Sequence, residues 1–171
     1  MMKRLAAALT TLALVAAFTP ALTPALRAQE QIGISLGAKA PGAKVFTLDG
    51  KPTDLAQYIG KGPVLIEFWA TWCGNCKELE PQLLQLVKKY SPKVRFVGVA
   101  VSVNQSPERV RLYTRKYHYA HTVLYDTNGD AVTAYDVPAT SYIVVLDKAG
   151  KVVYTGLGGE QNLEAAVRRA L

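Results

Sequence analysis

The two cysteines of this chain lie three residues apart, in Trp72-Cys73-Gly74-Asn75-Cys76. At the ~1.5 Å rise per residue of an α-helix, positions i and i+3 bring their Cα atoms to roughly 5 Å, inside the disulfide window. The pair can therefore bond to itself. The ring closed is so small that chain entropy gives such a bond little stabilising power. The chemistry on offer is reversible exchange rather than stapling. Cys73 would stand at the start of a helix, where unpaired N–H groups and the dipole favour a thiolate over the ordinary thiol, whose pKa is about 8.5. Cys76, one turn in and beneath the surface, is suited to resolve a mixed disulfide by attacking Cys73. A linear copper(I) site, or half of a zinc site, is the competing use of the same two sulfurs, although no second ligand pair is visible.

The elements around the pair must hold it in place. Val64 to Ala70 is a near-continuous apolar run, as expected of a central strand covered on both faces, and it leads straight into the cysteines. From Cys73 to about Tyr90 the pattern turns helical, with Leu79, Leu83, Leu86, Val87 and Tyr90 on one face and Pro81 inside, where a kink is expected. Val94 to Val103 reads as a second buried strand. Ser106-Pro107-Glu108 starts a helix that reaches about Tyr117, with Val110, Tyr113 and Tyr117 as its inner stripe and its basic residues turned to solvent. A short strand near Val123 and a small helix at 131–135 follow. Ser141 to Leu146 and Lys151 to Thr155 form a hairpin about Lys148-Ala149-Gly150, and residues 162–171 make the last helix. Ahead of all these, Lys44 to Leu48 and Lys51 to Thr53 form a hairpin about Asp49-Gly50, and Asp54 can cap a short helix. The order β-α-β-α, then β-β-α, gives an α/β sandwich: a mixed central sheet flanked by helices.

Composition narrows the class. Half of the 171 residues are apolar and 19% are charged, which fits one ordinary domain and excludes a disordered chain. Lys3 and Arg4 precede a 14-residue apolar run, Leu5 to Phe18, broken only by Thr10 and Thr11, and small Ala28 offers a cleavage point. These are the parts of an export signal. Residues 1–28 are therefore expected to be a cleaved signal or a membrane anchor, 29–43 a flexible tether, and 44–171 the folded domain, in the periplasm or otherwise outside the cytoplasm. Removing 1–28 takes away Lys3, Arg4 and Arg27 and no acid, leaving 17 basic against 13 acidic side chains, a net of +4. That surplus is too small to argue for nucleic acid. His118 and His121 could be metal ligands three apart, but they fall at a helix end in a Tyr-rich stretch, which favours surface or packing roles.

The segment Phe68-Trp69-Ala70-Thr71-Trp72-Cys73-Gly74-Asn75-Cys76-Lys77, with Pro81 five residues beyond, resembles the active-site segment of thioredoxin-fold oxidoreductases. The leading hairpin, the export signal and the inserted helix at 106–117 resemble the exported TlpA/ResA/CcmG group, over roughly residues 44–171. The resemblance implies a thioredoxin fold in which Cys73 is the nucleophile and Cys76 resolves. It implies that Glu67, six residues before Cys73, is a buried acid that accepts the Cys76 proton. It implies that Pro138, in Val137-Pro138-Ala139-Thr140, is a cis-proline facing the disulfide, so that Trp72, Val137 and Pro138 bind substrate. The dithiol carries the electrons itself, so neither cofactor nor metal is required.

The partners implied are protein disulfides, such as apocytochrome c or a copper-binding protein, and a membrane thiol donor that restores the dithiol; a monomer is expected. The function implied is a reductase in cytochrome c maturation or a related pathway, with a copper(I) chaperone or reductase and a disulfide donor as alternatives. A peroxidase of the same fold is disfavoured, because Thr71 stands two residues before Cys73 rather than three. Gly74-Asn75 replaces the Gly-Pro of thioredoxin, so the redox potential does not carry over. No lysine in 94–103 matches the one that thioredoxins pair with the buried acid.

Overall fold

A computed structural model describes residues 33–171. Seven strands form one mixed sheet: β1 (Lys44–Thr47), β2 (Pro52–Asp54), β3 (Val64–Trp69), β4 (Arg95–Val101), β5 (Thr122–Asp126), β6 (Tyr142–Leu146) and β7 (Val152–Leu157), in the order β2-β1-β5-β4-β3-β6-β7. The helices are α1 (Gly74–Tyr90), α2 (Pro107–Lys116), α3 (Asp130–Ala134) and α4 (Leu163–Arg168), with a 3₁₀ turn at Leu55–Tyr58. This is the thioredoxin-like α/β fold.

The central strand is β3, parallel to β4 and antiparallel to β6. All six of its residues are buried, which explains the unbroken apolar run. Alternation sends Val64, Ile66 and Phe68 to one face, where they pack with Tyr135, Tyr142 and Val144. Leu65, Glu67 and Trp69 go to the other face, under α1. Local signals behave as their chemistry dictates. Asp54 Oδ1 accepts from the Ala56 N–H at 2.7 Å, and Ser106 Oγ accepts from the Arg109 N–H at 3.2 Å. Gly50 takes φ +79° in the β1–β2 turn. Pro81 lies within α1, which continues on to Tyr90.

One expected boundary is corrected. Residues 34–43 fall within the flexible tether expected over 29–43, yet they are bound to the domain. The Ile34 N–H donates to Tyr135 O, the Ala40 N–H to Gly150 O, and Tyr135 Oη to Pro41 O at 2.9 Å. Ala40 and Ala43 are buried in the core. An edge segment held by backbone bonds needs no apolar period, so composition alone misread it. The expected signal or anchor at 1–28 lies outside the described residues. Among the described residues, no helix is long and apolar enough to cross a membrane.

Candidate active site

The strand β3 ends at Trp69, and residues 70–73 turn the chain into α1. Cys73 is the N-cap: its N–H donates to Ala70 O at 3.1 Å, and its Sγ accepts from the Cys76 N–H at 3.1 Å. A negative charge on this sulfur would meet an N–H donor and the positive end of a 17-residue helix. Cys73 and Cys76 are disulfide-bonded with Cα atoms 5.3 Å apart, as the spacing requires. Exposure does not separate the two, because both residues are buried in this oxidised form. Their difference is positional: Cys73 caps the helix, whereas Cys76 lies on its buried face.

The turn is anchored from the next loop. The Trp72 Nε1–H donates to Val103 O at 2.8 Å, and the Thr71 N–H donates to Gln105 Oε1 at 2.9 Å. Gln105 is itself fixed by donating to Val101 O and by accepting from Tyr125 Oη through its carbonyl. Trp72 remains 41% exposed despite its bond, so its ring is available as a docking surface beside the cysteines. It lines an apolar groove with Val101, Val103, Val132, Val137, Ala139 and Thr140.

Pro138 is where the structure departs from expectation. None of the described peptide bonds is cis, so Val137–Pro138 is trans, and Pro138 is exposed and does not line the groove, although Val137 does. The reason is register: β6 starts at Tyr142, four residues after Pro138, and Ser141 occupies the position that meets β3. The buried Ser141 has φ +68°, and its N–H donates to Phe68 O at 2.9 Å. Residues 139–140, rather than Pro138, pass beside Trp72.

Glu67 is buried in the centre of the sheet, on the face covered by α1, and its Oε2 has no hydrogen-bond partner in the protein. Burial, with a smaller contribution from the Glu80 carboxyl, pushes its pKa up to about 8. Glu80 stands on the buried face of α1, one turn after Cys76. Its Oε2 accepts from Tyr113 Oη and Tyr119 Oη, both at 2.8 Å. Sequence reasoning missed Glu80; its i+4 spacing from Cys76, on the stripe that also holds Leu83, was the available signal. His121 joins this polar cluster from just before β5, with its ring 4.9 Å from that of Tyr119. His118 does not share a helix face with it, because α2 ends at Lys116 and His118 lies beyond, at φ +55°.

The chain matches the Redoxin family over residues 35–171. It belongs to that family. It is 30% identical over 131 residues to the thiol-disulfide oxidoreductase ResA of Bacillus thuringiensis subsp. konkukian, covering 77% of this chain and 74% of ResA. It is also 30% identical over 139 residues to the thioredoxin-like protein YneN of Bacillus subtilis, covering 80% and 81%. A solved structure of a secreted Mycobacterium tuberculosis disulfide oxidoreductase, homologous to Escherichia coli DsbE, superposes with a TM-score of 0.63 at 27% identity, covering 74% of this chain and 92% of that one. This Redoxin-family member is a thioredoxin-fold thiol-disulfide oxidoreductase of the ResA/DsbE type, and the Cys73–Cys76 pair supplies the Cys-X-X-Cys disulfide of such an enzyme.

Proposed function

We propose that the protein works outside the cytoplasm as a reductase of protein disulfides, in cytochrome c maturation or a related pathway. The observation that carries this reading is the Cys73–Cys76 disulfide at the N-terminus of α1, beside an apolar groove lined by Trp72, Val103, Val137, Ala139 and Thr140. The Cys73 thiolate attacks one sulfur of a partner disulfide. That S–S bond breaks, a Cys73–partner bond forms, and the first partner thiolate leaves. Cys76 then loses its proton to Glu67 and attacks Cys73 Sγ. The intramolecular disulfide closes, the second partner thiolate leaves, and the partner has gained two electrons. Trp72, Val137 and the 139–140 backbone hold the partner in place. A membrane thiol donor then returns Cys73–Cys76 to the dithiol.

Equilibration of the purified domain with a glutathione buffer tests the direction. A potential below about −220 mV supports reduction, whereas one near −120 mV would make the protein a disulfide donor. Partners trapped on Cys76→Ser in extracts identify the pathway. Apocytochrome c among them supports the reading, and copper-binding proteins alone would redirect it.

A further inference from the structure

Four of the buried polar atoms that lack a protein partner belong to three residues gathered about one glycine: Glu67 Oε2, Trp69 Nε1, and His121 Nδ1 and Nε2. Gly98 of β4 pairs directly with Glu67 of β3, so both face α1. A Cβ on Gly98 would lie 3.0 Å from Trp69 Nε1 and 3.6 Å from His121 Nε2. The bare Cα therefore gives the indole N–H room over the strand, with the imidazole Nε2 at ordinary contact distance beside it. Buried polar groups are seldom left unmatched, and an internal water typically makes about three hydrogen bonds to such groups. The donors and acceptors here suit one water. It accepts from the indole N–H, which can only donate, bonds the Glu67 carboxyl, and donates to a neutral imidazole.

We propose that His121 is a positioning residue for the resolving step: its neutral imidazole and the Trp69 indole N–H hold one internal water over Gly98 that hydrogen-bonds the Glu67 carboxyl. This rests on the reading of Glu67 as the Cys76 base. Glu67 releases its proton to solvent, and the water then donates one hydrogen to the carboxylate and the other to His121 Nε2, so the imidazole stays neutral. The carboxylate then takes the Cys76 S–H proton, and the thiolate attacks Cys73 Sγ. No electrons move in the proton transfers, and the Glu67 carboxyl holds the Cys76 proton until the partner has left.

The surroundings agree with this assignment. Burial holds His121 down to about 4, and burial with a smaller contribution from Glu80 holds Glu67 up to about 8, so the imidazole is neutral at pH 7 and can accept from a water that bonds the Glu67 carboxyl. The other titratable groups facing this cluster are Cys76 and Glu80 of α1, Tyr113 of α2, and Tyr119. Glu80 Oε2 is already occupied by the two tyrosine hydroxyls. Gly98 of β4 and Ile143 of β6, which flank Glu67 in the sheet, carry no charge. His121 is the hydrogen-bond acceptor that remains for the water.

The test is rapid mixing of the reduced protein with glutathione disulfide across pH 5 to 9, resolving formation of the Cys73 mixed disulfide from its release, with the Glu67 carboxyl followed by carbon NMR. His121→Leu is expected to slow release about tenfold at pH 7, leave formation within about twofold, and raise the Glu67 midpoint by ~1 pH unit. His121→Gln, whose amide oxygen can still accept from the water, should keep release within about threefold of wild type. Gly98→Ala, which fills the water's place while keeping both residues, should slow release as His121→Leu does and serves if His121→Leu fails to fold. In a Glu67→Gln background, His121→Leu should add less than about twofold. Slow release in Glu67→Gln with wild-type release in His121→Leu and Gly98→Ala would overturn the role of His121 alone. Wild-type release in Glu67→Gln would overturn the reading of Glu67 beneath it.

Discussion

The two faces of β3 come from alternate residues of one six-residue strand, yet they are built on different principles. Val64, Ile66 and Phe68 enter a core whose buried members are apolar side chains and the rings of Tyr135 and Tyr142, and the hydroxyl of Tyr135 finds a backbone carbonyl. Leu65, Glu67 and Trp69 enter a face that buries two carboxyls, an imidazole and an indole N–H against α1 and α2. The first face is organised for stability, since apolar burial has little to lose. The second contains groups whose burial opposes folding, and it lies directly beneath the disulfide. Stability is given up on the one face of the sheet that the chemistry needs.

The largest contrast is expected from the cysteines themselves. Cys73→Ser should abolish disulfide reduction, and Cys76→Ser should accumulate the mixed disulfide, visible as a mass adduct after exposure to a peptide disulfide. Neither should alter the apolar face. Next in size, Phe68→Ala should lower unfolding free energy by about 3–5 kcal/mol in urea titrations, while leaving the pH dependence of stability unchanged.

Glu67→Gln should do the reverse and change mainly the pH dependence. The folded-state pKa of Glu67 is raised from 4.5 to about 8, so the folded state holds a proton that the unfolded chain has released. Wild-type stability should therefore fall as pH rises from 4.5 toward 8, by about 1.4 kcal/mol per pH unit from this group. Glutamine should remove that slope, leaving the variant more stable than wild type at pH 7.5. A slope retained in Glu67→Gln would assign it to other groups and weaken the contrast between the faces. The smallest effect is expected at Pro138. Exposed, trans and off the groove, Pro138→Ala should change both exchange rate and thermal midpoint only marginally, whereas Thr140→Arg in the groove should weaken partner capture.

These two regions were also unequally legible in the sequence. The strand, the helix caps and the Cys-X-X-Cys spacing follow from local rules, and β3, α1, α2 and the leading hairpin stand where patterning put them. Glu67 was legible through the family resemblance, which places a buried acid six residues before Cys73. Glu80, Tyr119 and His121 were not recognised as one cluster, because they meet only once α1 and the segment before β5 are packed. The role of Gly98 depends on what approaches it from Trp69 and His121. Pro138 misled through register: three residues separate it from β6, and Ser141 rather than Pro138 makes the contact with β3. Residues 34–43 misled because backbone hydrogen bonding leaves no apolar signature.

The central claim is a division of labour between two sulfurs that are equally buried when bonded. It is tested most directly by reducing the protein and following iodoacetamide modification of each thiol by mass spectrometry from pH 4 to 10. The helix cap at Cys73 predicts that Cys73 is modified first at every pH, with the lower midpoint, and that Cys76 reacts slowly until well above neutrality. Faster modification of Cys76, or a single midpoint shared by both thiols, would contradict the account.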